Sequence, residues 1–138
     1  MTSIQIEKLV EGTISTIELT IISIILGMIL ALILAFMSIG KNKILKGIAW
    51  LYTWVFRGTP LLLQIMVVYF AIPLMFKEVT GEPLNFEPFT AAIISLTLNT
   101  AAYTAEIFRA GIQSIDKGQL EAAKALGMTY SQAMFKVI

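Results

Sequence analysis

The sequence predicts an all-α integral membrane protein, three transmembrane helices followed by a short cytoplasmic helix. Three observations carry that reading. Of 138 residues, 57% are hydrophobic and 14% charged, against roughly 25% charge in an ordinary soluble domain. The apolar residues gather into blocks long enough to cross a bilayer, and the cations collect on one side of those blocks. The same pattern excludes a soluble core, a disordered tail and a secreted disulfide scaffold. With no cysteine and no histidine, the chain has no residues from which to build a zinc site, a thiol nucleophile, a Ser-His triad or an imidazole base. It is expected to be no enzyme and to carry no cofactor or metal. A net charge of +1 supplies no general basic field for nucleic acid. The length predicts a single domain over 1–138.

The first span runs from Thr13 to Ile39 with one charge, Glu18. At ~1.5 Å per residue it is about 40 Å long, enough to cross a hydrocarbon core of about 30 Å with tilt. A signal peptide would need a positive leader and an Ala-x-Ala site; Lys8 instead lies between Glu7 and Glu11, and the apolar block is too long. Glu18 falls about 8 Å inside the outer end by the ~1.5 Å rise, where interfacial solvation accounts for it. Gly27 and Ala31 form a small-x3-small pair that predicts close helix packing.

Ile48 to Phe76 is apolar but broken by Arg57-Gly58-Thr59-Pro60. Gly loosens the backbone, and Pro lacks an N–H and favours a first helical turn, so two helices are expected. The first, Ile48 to Phe56, carries Trp50, Tyr52 and Trp54, residues that favour the headgroup layer. The second, Pro60 to Phe76, is span two, with Pro73 expected to bend its outer end. Lys77 to Pro88, with Gly81 and Pro83, reads as a loop.

Span three covers Phe89 to Gln113. At 100° per residue, Ser95, Asn99, Tyr103, Glu106 and Gln113 share roughly an 80° sector, so one face is polar and is expected to line a path. A carboxylate inside a membrane costs at least ~2.5 kcal/mol and normally has a cationic partner or a wet cavity. Glu106 therefore has two readings: a site for an ammonium group, or an ion pair with Arg109 or Arg57. Asn99 and Tyr103 either offer hydrogen bonds to a substrate or make polar contacts between helices. Gln64 is a weaker path-lining candidate, and Arg57 either snorkels or gates.

Eight of the ten cations flank the connection between spans one and two or follow span three: Lys41, Lys43, Lys46, Arg57, Arg109, Lys117, Lys124 and Lys136. The bias of Lys and Arg toward the cytoplasmic side then puts the N-terminus outside and residues 114–138 inside. That tail should fold as two short helices. Gln119 to Leu126 is closed by Gly127 at a left-handed position, and Thr129 with Gln132 forms a capping box opening the second. So short a helix, below the roughly 12 to 15 residues at which isolated helices become marginal, needs tertiary contacts or a partner. Ala122, Ala123 and Ala125 permit close approach, with Glu121 and Lys124 as a charged edge. The alternative is a membrane-surface connector with no partner.

The segment Glu121-Ala122-Ala123-Lys124-Ala125-Leu126-Gly127 is similar to the EAA-x3-Gly core of the cytoplasmic loop in permease subunits of bacterial ABC importers. It occurs in order with Arg57-Gly58-Thr59-Pro60-Leu61-Leu62-x-Gln64 and with Asn99-Thr100-Ala101-Ala102-Tyr103-x-x-Glu106-Ile107-x-Arg109-x-Gly111-Ile112. Gly118-Gln119 stands just ahead of the triplet. Together these resemble the polar amino-acid uptake permeases of the histidine/glutamine/glutamate/arginine/opine branch, over nearly the whole chain. Family members continue from the loop with an Ile-x-Leu-Pro segment and at least one further span, so the resemblance implies an N-terminal portion, incomplete at its C-terminus.

The resemblance implies part of a type I ABC importer permease fold in the plasma (inner) membrane, working by alternating access. It implies as partners a cytoplasmic ABC ATPase dimer, a second permease subunit, an extracytoplasmic amino-acid-binding protein and the amino-acid substrate. No Gly-x4-Gly-Lys-Ser/Thr phosphate loop is present, consistent with ATP hydrolysis on a separate subunit. Gly118, Gln119, Glu121, Ala122, Ala123 and Gly127 are then the ATPase-coupling residues, with Asn99, Tyr103, Glu106 and Gln64 along the substrate path. The competing reading is a non-transporting membrane scaffold whose tail recruits a cytoplasmic partner; a small ion channel would require oligomerisation.

Overall fold

The computed structural model describes residues 3–137. Met1, Thr2 and Ile138 of the predicted 1–138 domain lie outside the described residues. The described residues form helices α1 (Ser3–Ile39), α2 (Lys43–Gly58), α3 (Leu61–Met66), a π-helical turn (Val67–Ala71), α4 (Ile72–Thr80), α5 (Pro88–Gln113), α6 (Lys117–Ala125) and α7 (Tyr130–Lys136). Among the described residues there is no strand. Three stretches of the described residues are long and apolar enough to cross a membrane: Ile4–Ile39, Leu61–Thr80 and Pro88–Gln113.

α1 begins ahead of the predicted Thr13, because apolarity marks the membrane-length part of a helix and not its start. Glu7, Lys8 and Glu11 are good helix formers. The hydroxyls of Thr13, Thr16 and Thr20 bond back to the carbonyls of Leu9, Gly12 and Thr16, each at 2.7 Å, so these three donors are satisfied within the helix. At ~1.5 Å per residue the helix extends about 55 Å, well beyond a hydrocarbon core of about 30 Å.

α2 also begins earlier than the predicted Ile48. Asn42 is its N-cap, its side-chain oxygen accepting from the Ile44 N–H at 2.9 Å and the Leu45 N–H at 3.4 Å. Trp50 and Trp54, four residues apart, share an exposed face with ring centroids 6.1 Å apart. Tyr52 turns toward the protein. Two residues on from Trp50 it lies about 200° around the helix, and its hydroxyl donates to the Leu98 carbonyl of α5 at 2.8 Å.

The break falls where the sequence put it. Thr59, ahead of a proline, and Pro60 are both extended (φ/ψ −117°/144° and −62°/139°). Pro60 caps the new helix from outside it instead of opening its first turn. Just before Pro73, where the sequence predicts a bend, stands a π turn in which the Ile72 N–H reaches the Val67 carbonyl. A proline has no N–H and crowds the carbonyl four residues earlier, and widening the preceding turn relieves both. Span two then continues through Lys77–Thr80, residues predicted as loop. It ends at Gly81, whose φ of 77° only glycine adopts without strain.

α5 packs along α1 more extensively than on any other helix. Ala31, Leu34, Ala49, Ala101 and Ala105 form the buried cluster, with Leu30, Met37, Tyr52 and Phe108 packed around it. Gly27 supplies the close approach that the small-x3-small pair predicts: a Cβ there would stand 3.0 Å from Thr100 Cγ2. With lipid tails as apolar as leucine, such small-residue packing is what holds membrane helices together.

Candidate functional site

The polar face of α5 divides into two parts. In its N-terminal part Ser95 is fully buried and its hydroxyl bonds to the Ala91 carbonyl at 2.8 Å, so this member of the polar sector faces protein. One turn on, Asn99 Nδ2 donates to Gln64 Oε1 at 3.1 Å. Gln64 is itself 7% exposed, and its Nε2 lies within hydrogen-bonding distance of the Phe56 carbonyl (2.8 Å), the Thr59 carbonyl (3.1 Å) and Thr59 Oγ1 (2.9 Å). The structure thus joins two predicted path residues, Gln64 and Asn99, directly.

The C-terminal part is charged. Glu106 accepts from Arg109 Nε at 2.7 Å and also from Arg109 Nη2 through the same oxygen. Its other oxygen stands 3.7 Å from Arg57 Nη1. Arg109 also donates to Gln113, and the Arg57 guanidinium lies 5.7 Å from the centroid of the Tyr103 ring. Both counter-ions weighed for Glu106 in the sequence are present together. A cavity of about 780 Å³ opens here between α1, α2 and α5, with Lys46, Trp50, Arg57, Tyr103, Glu106 and Arg109 among its walls. Three cations against one carboxylate leave it net positive.

The predicted coupling residues stand apart from both clusters, on a helical hairpin whose α6 packs chiefly on α7. Asp116 caps α6, accepting from the Gly118 N–H at 2.8 Å. Gln119, Glu121 and Ala122 are exposed. Ala123 is buried, as is Ala133 of α7, so one alanine of the triplet is used inside the hairpin. Gly127 has φ 79°. Its N–H bonds to the Lys124 carbonyl at 2.9 Å and the Met128 N–H to the Ala123 carbonyl at 3.1 Å, a Schellman ending. Thr129 and Gln132 form the predicted capping box, the Thr129 N–H donating to Gln132 Oε1 at 2.9 Å and the Gln132 N–H to Thr129 Oγ1 at 3.3 Å.

Sequence reasoning missed Thr59 as a partner of Gln64 and Asp116 as a cap. An Asp two residues before Gly118, ahead of a helical run, was the available signal for the cap. Also missed was the exposed apolar edge of the hairpin, where Leu126 and Phe135 are 83% and 92% exposed.

The arginine transport system permease protein of Corynebacterium glutamicum is 44% identical over 137 residues, 95% of this chain and 43% of that protein. The arginine transport system permease protein of Bacillus subtilis is 45% identical over 130 residues, 94% of this chain and 57% of that protein. The putative glutamine transport system permease protein of Rickettsia prowazekii is 42% identical over 120 residues, covering 87% and 52%. The chain therefore spans about half the length of these curated relatives. A crystal structure of an amino acid ABC transporter with histidines superposes with a TM-score of 0.77 at 38% identity, over 97% of this chain and 61% of that one. Residues 15–138 match the family described as binding-protein-dependent transport system inner membrane component, and the chain, with its three membrane-length helices and the hairpin that follows them, belongs to that family.

Proposed function

We propose that this chain is part of a permease subunit of an ATP-driven ABC importer that carries polar amino acids across the plasma membrane by alternating access. A separate cytoplasmic ATPase dimer hydrolyses the ATP and docks on α6; a second permease subunit completes the path; an extracytoplasmic binding protein delivers the amino acid. The N-terminus lies outside and the α6–α7 hairpin inside.

The observation that carries this reading is the similarity to permeases named for arginine and glutamine transport, because it runs through α2, α5 and the hairpin together. Geometry supports the division of labour. Gln119, Glu121 and Ala122 are free to meet an ATPase, while Gly118, the buried Ala123 and Gly127 shape the helix that presents them. Asn99 and Tyr103 border the path, with Gln64 behind them. Glu106 either receives the substrate ammonium or serves as counter-ion to Arg57 and Arg109, and its pairing with both arginines favours the second.

The test is ATP-dependent uptake of labelled amino acids by the full-length protein reconstituted with its ATPase and binding protein. Uptake competed by polar amino acids is expected; a complex that binds no ATPase and accumulates nothing would support the scaffold instead. In that system Glu106→Gln is expected to lower turnover with little change in KM, as a counter-ion should. A raised KM at unchanged kcat would assign Glu106 to the substrate.

A further inference from the structure

Phe56 is left without a helical partner by the sequence itself. Its carbonyl would take the N–H four residues on, and that residue is Pro60, which has none. The Gln64 side chain supplies the missing donor at 2.8 Å, reaching back over the break. The same amide nitrogen has a second hydrogen for Thr59, whose carbonyl and hydroxyl oxygens both lie within reach, and the amide oxygen is held by Asn99 of α5. One buried side chain thus grips the chain on both sides of Arg57-Gly58 and ties it to the third span. Arg57 stands between the two grip points, with its guanidinium beside Glu106 and over Tyr103.

We propose that Gln64, anchored by Asn99, is a positioning residue: it fixes the break between α2 and α3 against α5 and so sets where Arg57 meets Glu106 and Tyr103. The break and the polar face of α5 then move as one piece, and a shift of Gln64 is passed directly to the charged cavity. Apolar packing at this point does not substitute for the amide, since Leu at position 64 would bury the Phe56 carbonyl with no donor. The proposal rests on the geometry of this chain and requires neither substrate nor ATPase, so its test is separate from that of the transport reading.

The test uses the full-length protein in membranes, in a cysteine-free background, carrying the pair Arg57→Cys/Glu106→Cys joined by a short bifunctional methanethiosulfonate. The control pair is Ser38→Cys/Arg109→Cys, which bridges the same cavity from α1. Gln64→Leu is expected to lower the yield of the first pair several-fold and leave the control unchanged, with Asn99→Leu doing the same to a smaller extent. Should Gln64→Leu fail to insert, Gln64→Met decides, because it keeps the length of the side chain but has no donor for the Phe56 carbonyl. An unchanged yield for the Arg57/Glu106 pair overturns the proposal. So does an equal loss in both pairs, which would make Gln64 a general packing residue.

Discussion

Gly27 and Gly12 lie on the same helix and should answer the same substitution in opposite ways. A Cβ at Gly27 would stand 3.0 Å from Thr100 Cγ2 and 3.4 Å from the Thr97 carbonyl, whereas one at Gly12 meets nothing within 4 Å. Gly27→Leu is therefore expected to destabilise the solubilised full-length protein by about 1–3 kcal/mol through overpacking. Gly12→Leu should be neutral or stabilise by up to about 1 kcal/mol from helix propensity. Denaturant unfolding of the two variants checks both, and equal effects would remove the α1–α5 seam as the organising contact. Much at this scale was legible: periodicity placed Asn99, Tyr103 and Glu106 on one face, and spacing offered Arg109 as one of the alternative partners of Glu106. What periodicity does not contain is which neighbour covers that face. Ser95 and Asn99 meet protein because the break folds span two back onto them, a long-range event with no local signature.

Helix ends were legible wherever the sequence writes them in side chains that bond locally. Gly127 and the Thr129/Gln132 box were read correctly, while Asn42 and Asp116, equally good caps, were not used and the starts of α2 and α6 were misplaced accordingly. The π turn was out of reach, since the sequence shows Pro73 but not how the preceding turn absorbs it. The ending of α6 has a consequence of its own. α6 has 9 residues, too few to persist without its caps, since isolated helices shorter than about 12 residues are marginal. At Gly127 open space surrounds a Cβ, so alanine costs only the left-handed backbone, roughly 1–2 kcal/mol. Gly118 has no such φ and its added Cβ would only touch Asp116. Gly127→Ala is thus expected to raise amide hydrogen exchange across Ala122–Met128 roughly 5- to 30-fold, and Gly118→Ala to leave it unchanged or slower. Equal exchange in the two would show that α6 is held by something other than its Schellman ending.

The arrangement of the whole molecule across the bilayer follows from charge. A helix of membrane length can be inserted either way round; the short connections decide, through the bias of Lys and Arg toward the cytoplasm. Lys41, Lys43 and Lys46 sit at the turn from α1 into α2, and Lys124 and Lys136 lie on the hairpin, whereas the segment between α4 and α5 carries Glu82 and Glu87 with no cation. One orientation puts all five lysines inside, and the reverse would carry all five across the membrane. In a cysteine-free background, single substitutions at exposed positions report topology cleanly. Glu82→Cys should react in intact cells with a membrane-impermeant maleimide, and Lys124→Cys only after the cells are opened. The opposite pattern would place the hairpin outside, where no ATPase can reach it, and the importer reading would fail along with the orientation.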